Sequence, residues 1–137
     1  MSTLRTFILP AVIAIAASGC SMSANTTAAD QGVTRFHAML DAGQYADIYN
    51  GSSPQMKQAA TEQDFVSMLD TVHRKLGTTR SVAQRNWGIN YDTKGTFVTL
   101  VYKTTFSTGD ADEKFVFLMQ GQTPSLVGYH INSMAHK

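Results

Sequence analysis

The sequence predicts an α+β domain, with N-terminal helices packed on one face of a four-stranded antiparallel sheet, on three observations. Apolar residues between Val33 and Leu76 recur at helical spacing, and from Trp87 onward they alternate with polar ones. The alternating segments are joined by turns too short for the crossover that a parallel pair needs. Helices followed by a run of strands mean helices gathered on one side of an antiparallel sheet.

Each element has its own signal. Val33, Phe36 and Leu40 fall on one stripe with Met39 beside them, and Gly43 supplies a stop. Tyr45, Ile48 and Tyr49 form a second short stripe that Asn50 and Gly51 end. Ser53-Pro54 reads as an N-cap followed by proline in the first turn, opening a brief helix to about Ala59. Thr61 with Asp64 is a variant of the capping box, and Phe65, Met68, Leu69, Val72 and Leu76 then mark a helix with a wide apolar face, closed by Gly77.

The period then changes. Trp87, Ile89 and Tyr91 alternate with Asn86, Gly88 and Asn90, and the turn formers Asp92 to Gly95 end the segment. Phe97 to Phe106 is a strand with Val98, Leu100, Tyr102 and Phe106 on one face. Ser107 to Asp112 reads as a polar loop, and Glu113 to Gln120 as the next strand, with Phe115, Phe117 and Met119 on one side. After Gly121 to Pro124, the last strand is expected to put Val127, Tyr129 and Ile131 on one face and Gly128, His130 and Asn132 on the other.

The N-terminus carries an address. Arg5 precedes Phe7 to Ala17, eleven residues without charge, in the layout of a signal peptide. A spanning helix needs about 20 apolar residues, and Pro10 would interrupt one here. The run ends at Ala17-Ser18-Gly19-Cys20, which holds the only cysteine of the chain and resembles the lipobox of bacterial lipoproteins, with Ala17 where Leu is usual. That resemblance implies cleavage before Cys20, acyl chains such as palmitate on it, and anchoring far stronger than one chain gives, at about 0.8 kcal/mol per buried methylene. Ser21, not Asp, follows the cysteine, which by the family's rule implies the outer membrane of a Gram-negative cell, facing the periplasm. The expected organisation is a signal peptide over 1–19, a flexible tether over 20–29 and a single domain over 30–137.

Charge and motifs exclude several classes. Without residues 1–19, which contribute only Arg5, the eleven Lys and Arg become ten, equal to the ten Asp and Glu. No basic stripe with interleaved aromatics is present, so nucleic acid is not an expected partner. No cofactor is implied, and no metal-ligand spacing, nucleophile elbow or phosphate-binding glycine loop occurs. Of the four histidines, His37 beside Phe36 is expected to point away from the core, His136 lies at the chain end, and His73 follows Asp70 at a spacing that lets the two meet on a helix. His130 falls on the strand face opposite Tyr129. Asp92, Asp110 and Asp112 read as loop residues, and no acid is placed among the aromatics, where burial would suit it to proton abstraction. Tyr45, Tyr49, Trp87, Tyr102, Tyr129 and His130 are the candidates for a pocket or an interface, because amphipathic rings line such surfaces.

The run Phe36 to Tyr49, the Phe65 to Gly77 helix and the ending Leu126-Val-Gly-Tyr-His-Ile resemble small cystatin-like or NTF2-like envelope lipoproteins grouped as domains of unknown function. The likeness rests on packing motifs, and such folds host enzymes, binding proteins and assembly parts alike. Two expectations follow. In the first, the protein is a non-enzymatic lipid-anchored module that binds another protein, an envelope component or an immunity-type partner. In the second, a twisted sheet wrapped round a helix forms a cone that binds a small apolar molecule and isomerises or hydrates it, with His130 or Asp70 as base.

Overall fold

The computed structural model describes residues 20–133. Four helices come first, α1 over Cys20–Asp41, α2 over Tyr45–Asn50, α3 over Pro54–Ala59 and α4 over Glu62–Leu76. Four strands follow, β1 over Thr79–Asp92, β2 over Gly95–Phe106, β3 over Gly109–Gln120 and β4 over Thr123–Ser133. The sheet is an antiparallel meander in the order β1-β2-β3-β4, and the helices cover one of its faces. The fold is therefore the α+β arrangement that the change of period predicts.

Local chemistry sets the helix limits. The Ser53 hydroxyl accepts the Met56 N–H at 3.2 Å with Pro54 in the first turn, and the Thr61 hydroxyl accepts the Asp64 N–H at 3.2 Å. Gly77 closes α4 at φ +79°, where a Cβ would lie 1.8 Å from Ser107 Oγ. Ser107 and Thr108 need that approach, since their N–H groups donate to the carbonyls of Thr78 and Leu76. Asp41 ties the end of α1 to the start of β1 by accepting from both the N–H and the hydroxyl of Thr79.

The core lies between the helices and the sheet. Ala29, Val33, Phe36 and Leu40 of α1 and Phe65, Leu69, Val72 and Leu76 of α4 meet Val98, Leu100, Tyr102 and Phe106 of β2 and Phe115 and Phe117 of β3. Gly32 lets α1 approach the sheet, because a Cβ there would come within 3.2 Å of the Phe117 ring and 3.1 Å of Pro124.

Four expectations are corrected. Residues 20–29, read as a flexible tether, form the first turns of α1, and Ala28 and Ala29 are buried. β1 begins at Thr79 and not near Asn86; bulges fall at Arg80 and Arg85, the two residues that its register with β2 skips, and they break the alternation. The loop expected at Ser107 to Asp112 is only a turn, so Asp110 and Asp112 lie within β3. In β4, Phe117 pairs with Leu126 and Val116 with Gly128, leaving Val127 as an extra residue; Leu126 therefore joins Tyr129 on the core face and Val127 leaves it.

Candidate functional site

The most polar feature of the interior is built from α1 and three neighbouring strands. His37 lies one turn from Val33 and Leu40 on the apolar stripe of α1, so it faces the sheet and is 5% exposed, contrary to the expectation that it points away. Glu113 lies in period-two register with Ala111, Phe115 and Phe117, which carries its side chain inward, where it is fully buried. Thr104 of β2 and Tyr129 of β4 flank it.

The four side chains form one hydrogen-bonded cluster. Glu113 Oε1 lies 2.7 Å from His37 Nε2 and accepts from Thr104 Oγ1, while Oε2 accepts from the Tyr129 hydroxyl at 2.6 Å. A carboxylate oxygen only accepts, so with Glu113 as the carboxylate it is the His37 tautomer carrying its proton on Nε2 that satisfies the pair. Burial pushes the Tyr129 hydroxyl well above its ordinary pKa, and the nearby Glu113 charge adds to the effect, so the phenol keeps its proton and donates. Rings of Phe36, Phe106 and Phe115 pack edge-on around His37. Glu113 is thus an acid set among aromatics, which the sequence reading did not find.

Acid and imidazole side by side are the materials of general acid–base chemistry, but reaction needs access to a substrate. The described surface carries grooves of about 310, 520, 370 and 460 Å³, and neither Glu113, His37 nor Thr104 lines any of these. Both Glu113 oxygens, His37 Nε2 and the Thr104 and Tyr129 hydroxyls have their partners within the cluster. Its evident work is to join α1 to three strands at the centre of the core.

The six residues singled out in the sequence do not converge. Tyr45 is half-buried, with its hydroxyl 2.7 Å from His73 Nδ1, and burial followed by the Asp70 charge raises its pKa. Tyr49 is buried and donates to the Ala60 carbonyl at 2.8 Å, tying α2 to the end of α3. Tyr102 is buried and donates to Asp30 of α1; burial first, then that bond, raises its pKa. Tyr129 belongs to the Glu113 cluster. Trp87 stands half exposed on β1, at the opposite edge of the sheet from His130, which is exposed on β4. Asp70 and His73 form no dyad, because Asp70 pairs with Arg74 at 2.8 Å and His73 with Tyr45. Cys20 opens α1, and His136 lies outside the described residues.

Two surfaces stand out. At the β4 edge, Met56, Ala59, Phe65 and Met68 of α3 and α4 line a largely apolar groove of about 370 Å³ with Val127, Tyr129 and His130. At the β1 edge, the helices stop short of the sheet and leave Val82, Trp87 and Tyr91 exposed. Among the described residues no three His, Cys, Asp or Glu side chains come together as metal ligands, and no helix is long and apolar enough to cross a membrane.

Residues 33–129 match the family described as Protein of unknown function (DUF4019). No curated protein matches the chain.

Proposed function

We propose, for a chain that belongs to the DUF4019 family, a non-catalytic role as a lipid-anchored module of the cell envelope that binds another protein. The matched segment holds the α1 stripe, α2, α3, α4 and the strands as far as Tyr129, so the family's shared feature is this packed domain.

The observation that carries the reading is where the reactive groups lie. Glu113 and His37 are bonded to each other inside the core and line none of the grooves described above, whereas the largely apolar groove beside the β4 edge strand presents Met56, Phe65, Met68 and Val127, with the Tyr129 ring at its wall and His130 at the surface. An edge strand next to an apolar groove suits an extended segment of a partner. The backbone of that segment would pair with β4 beyond Leu126, whose carbonyl the Ser53 N–H already engages at 2.9 Å, and its side chains would fill the groove. The NTF2-like cone is less well supported. The space in which its ligand would sit holds Phe36, Leu69, Leu100, Tyr102 and Phe115, none more than 4% exposed.

The address rests on Cys20 and the leader before it, read as a lipobox and signal peptide that end at the outer membrane. Photo-crosslinking in intact cells tests the binding role, with a photoreactive residue placed at His130 in one variant and at the exposed Gln63 in another. A discrete adduct from position 130 and none from position 63 is expected. Equal labelling at both positions, or none at either, contradicts the reading.

A further inference from the structure

α1 runs unbroken from Cys20 to Asp41, and Ala28, Ala29, Val33, Phe36 and Leu40 lock it into the core. At about 1.5 Å of rise per residue, Cys20 lies only about 12 Å along the helix axis from the buried Ala28. An anchor at Cys20 therefore has no slack, and it holds this end of the domain against the bilayer.

From this end a row of exposed apolar side chains runs along β1, with the polar Ser23, Thr26, Thr27, Asp30 and Gln84 between it and α1. The exposed large apolar side chains among the described residues are Met22, Val82, Trp87 and Tyr91, at 43%, 46%, 50% and 60% exposure. Met22 follows Cys20 by two residues and shares a groove with Ser23, Thr26, Gln84 and Trp87. Val82, Trp87 and Tyr91 pair across the ladder with Thr104, Leu100 and Thr96, which puts all three on the helix side of β1. They form one strip that the helices leave bare.

The chemistry of the strip identifies what covers it. Trp and Tyr favour the headgroup level of a membrane, where an apolar ring and a polar tip are both satisfied. Arg80 and Arg85 are exposed at the two bulges, one before the strip and one within it, and arginines close to an anionic surface are drawn to it. A second copy pairing edge to edge is disfavoured, because both bulges and both charges interrupt the ladder that it would extend.

We propose that Met22, Val82, Trp87 and Tyr91 rest in the headgroup region of the bilayer that anchors Cys20, so that the β1 edge faces the membrane and the β4 groove faces away. This orientation depends on the anchored reading above.

Trp87 is the only tryptophan in the chain, so its emission reports on the strip alone. The full chain, produced with its own leader and purified from envelopes, is weighed intact and reconstituted in vesicles of phosphatidylethanolamine and phosphatidylglycerol, with and without a lipid brominated on its acyl chains. An acylated chain whose Trp87 emission is lost to bromine and shielded from iodide supports the orientation, and Met22→Ser with Tyr91→Ser should weaken both effects. An acylated chain whose Trp87 ignores bromine and remains open to iodide overturns it and leaves the anchor intact. Shielding from iodide without bromine quenching means that a protein surface covers the strip, and also overturns it. A chain without acyl groups removes the anchor and the orientation together.

Discussion

Replacing Glu113 by alanine removes the acceptor on which three buried donors converge. His37 Nε2, Thr104 Oγ1 and the Tyr129 hydroxyl all point at its two oxygens, and the side chain is fully enclosed. Each buried donor left without an acceptor costs about 1–3 kcal/mol. Three such donors together make a loss of at least about 3 kcal/mol, which is much of the about 5–15 kcal/mol that holds a domain folded. Urea unfolding followed by circular dichroism should therefore show Glu113→Ala destabilised by at least about 3 kcal/mol. Glu113→Gln keeps the shape and one carbonyl but turns an amide N–H₂ toward a donor, so a smaller loss is expected. An all-apolar replacement, Glu113→Leu with His37→Leu, Thr104→Val and Tyr129→Phe, should recover much of the loss, since no donor is left unpaired. The reasoning is refuted if Glu113→Ala costs less than about 1 kcal/mol, the value of one ordinary hydrogen bond, or if the fourfold replacement is as unstable as the sum of its parts.

Three further outcomes follow from the same geometry. Tyr129 and Tyr102 both have pKa values raised in the folded state above the ordinary 10.0, so their contributions are complete below pH 10 and are lost as the pH rises beyond; each should lower stability there by up to about 1.4 kcal/mol per pH unit, and Tyr129→Phe should remove its own share of the slope in urea titrations while Tyr102 keeps the rest. Ser53→Ala removes the cap on α3 while leaving Pro54 in place, and should lower stability by about 1 kcal/mol in the same assay. Gly77→Ala sets a Cβ against Ser107 Oγ at a left-handed φ of +79°, and thermal melts should show a loss of at least about 1–2 kcal/mol.

The fold was legible where one local rule decided the outcome. Ser53-Pro54, Thr61 and Gly77 mark helix limits by chemistry confined to a few residues, and the structure keeps all of them. The core face of β2 follows from simple alternation. Legibility failed at bulges, because one extra residue reverses the faces beyond it: Arg80 and Arg85 hid the first half of β1, and Val127 moved Leu126 inward. The alanines of residues 20–29 have the composition of a linker, yet Ala28 and Ala29 are buried in α1 as part of the core. The Glu113 cluster had a signal that the polarity of its members concealed. His37 sits on the Val33–Leu40 stripe and Glu113 in register with Phe115, so the periods that located the core also placed both inside it. What no single segment shows is that α1, β2, β3 and β4 bring these four side chains together, since that depends on the strand register.

The proposed acyl anchor at Cys20 is the premise of both the binding role and the membrane orientation. Intact-mass analysis of the chain recovered from the membrane fraction of a Gram-negative cell tests this directly, read alongside the same preparation of Cys20→Ser. The account predicts a mature chain that begins at Cys20 and carries acyl groups, with the variant lost from that fraction. A wild-type chain whose mass matches the bare polypeptide, or a variant that stays in the membrane fraction, would contradict it.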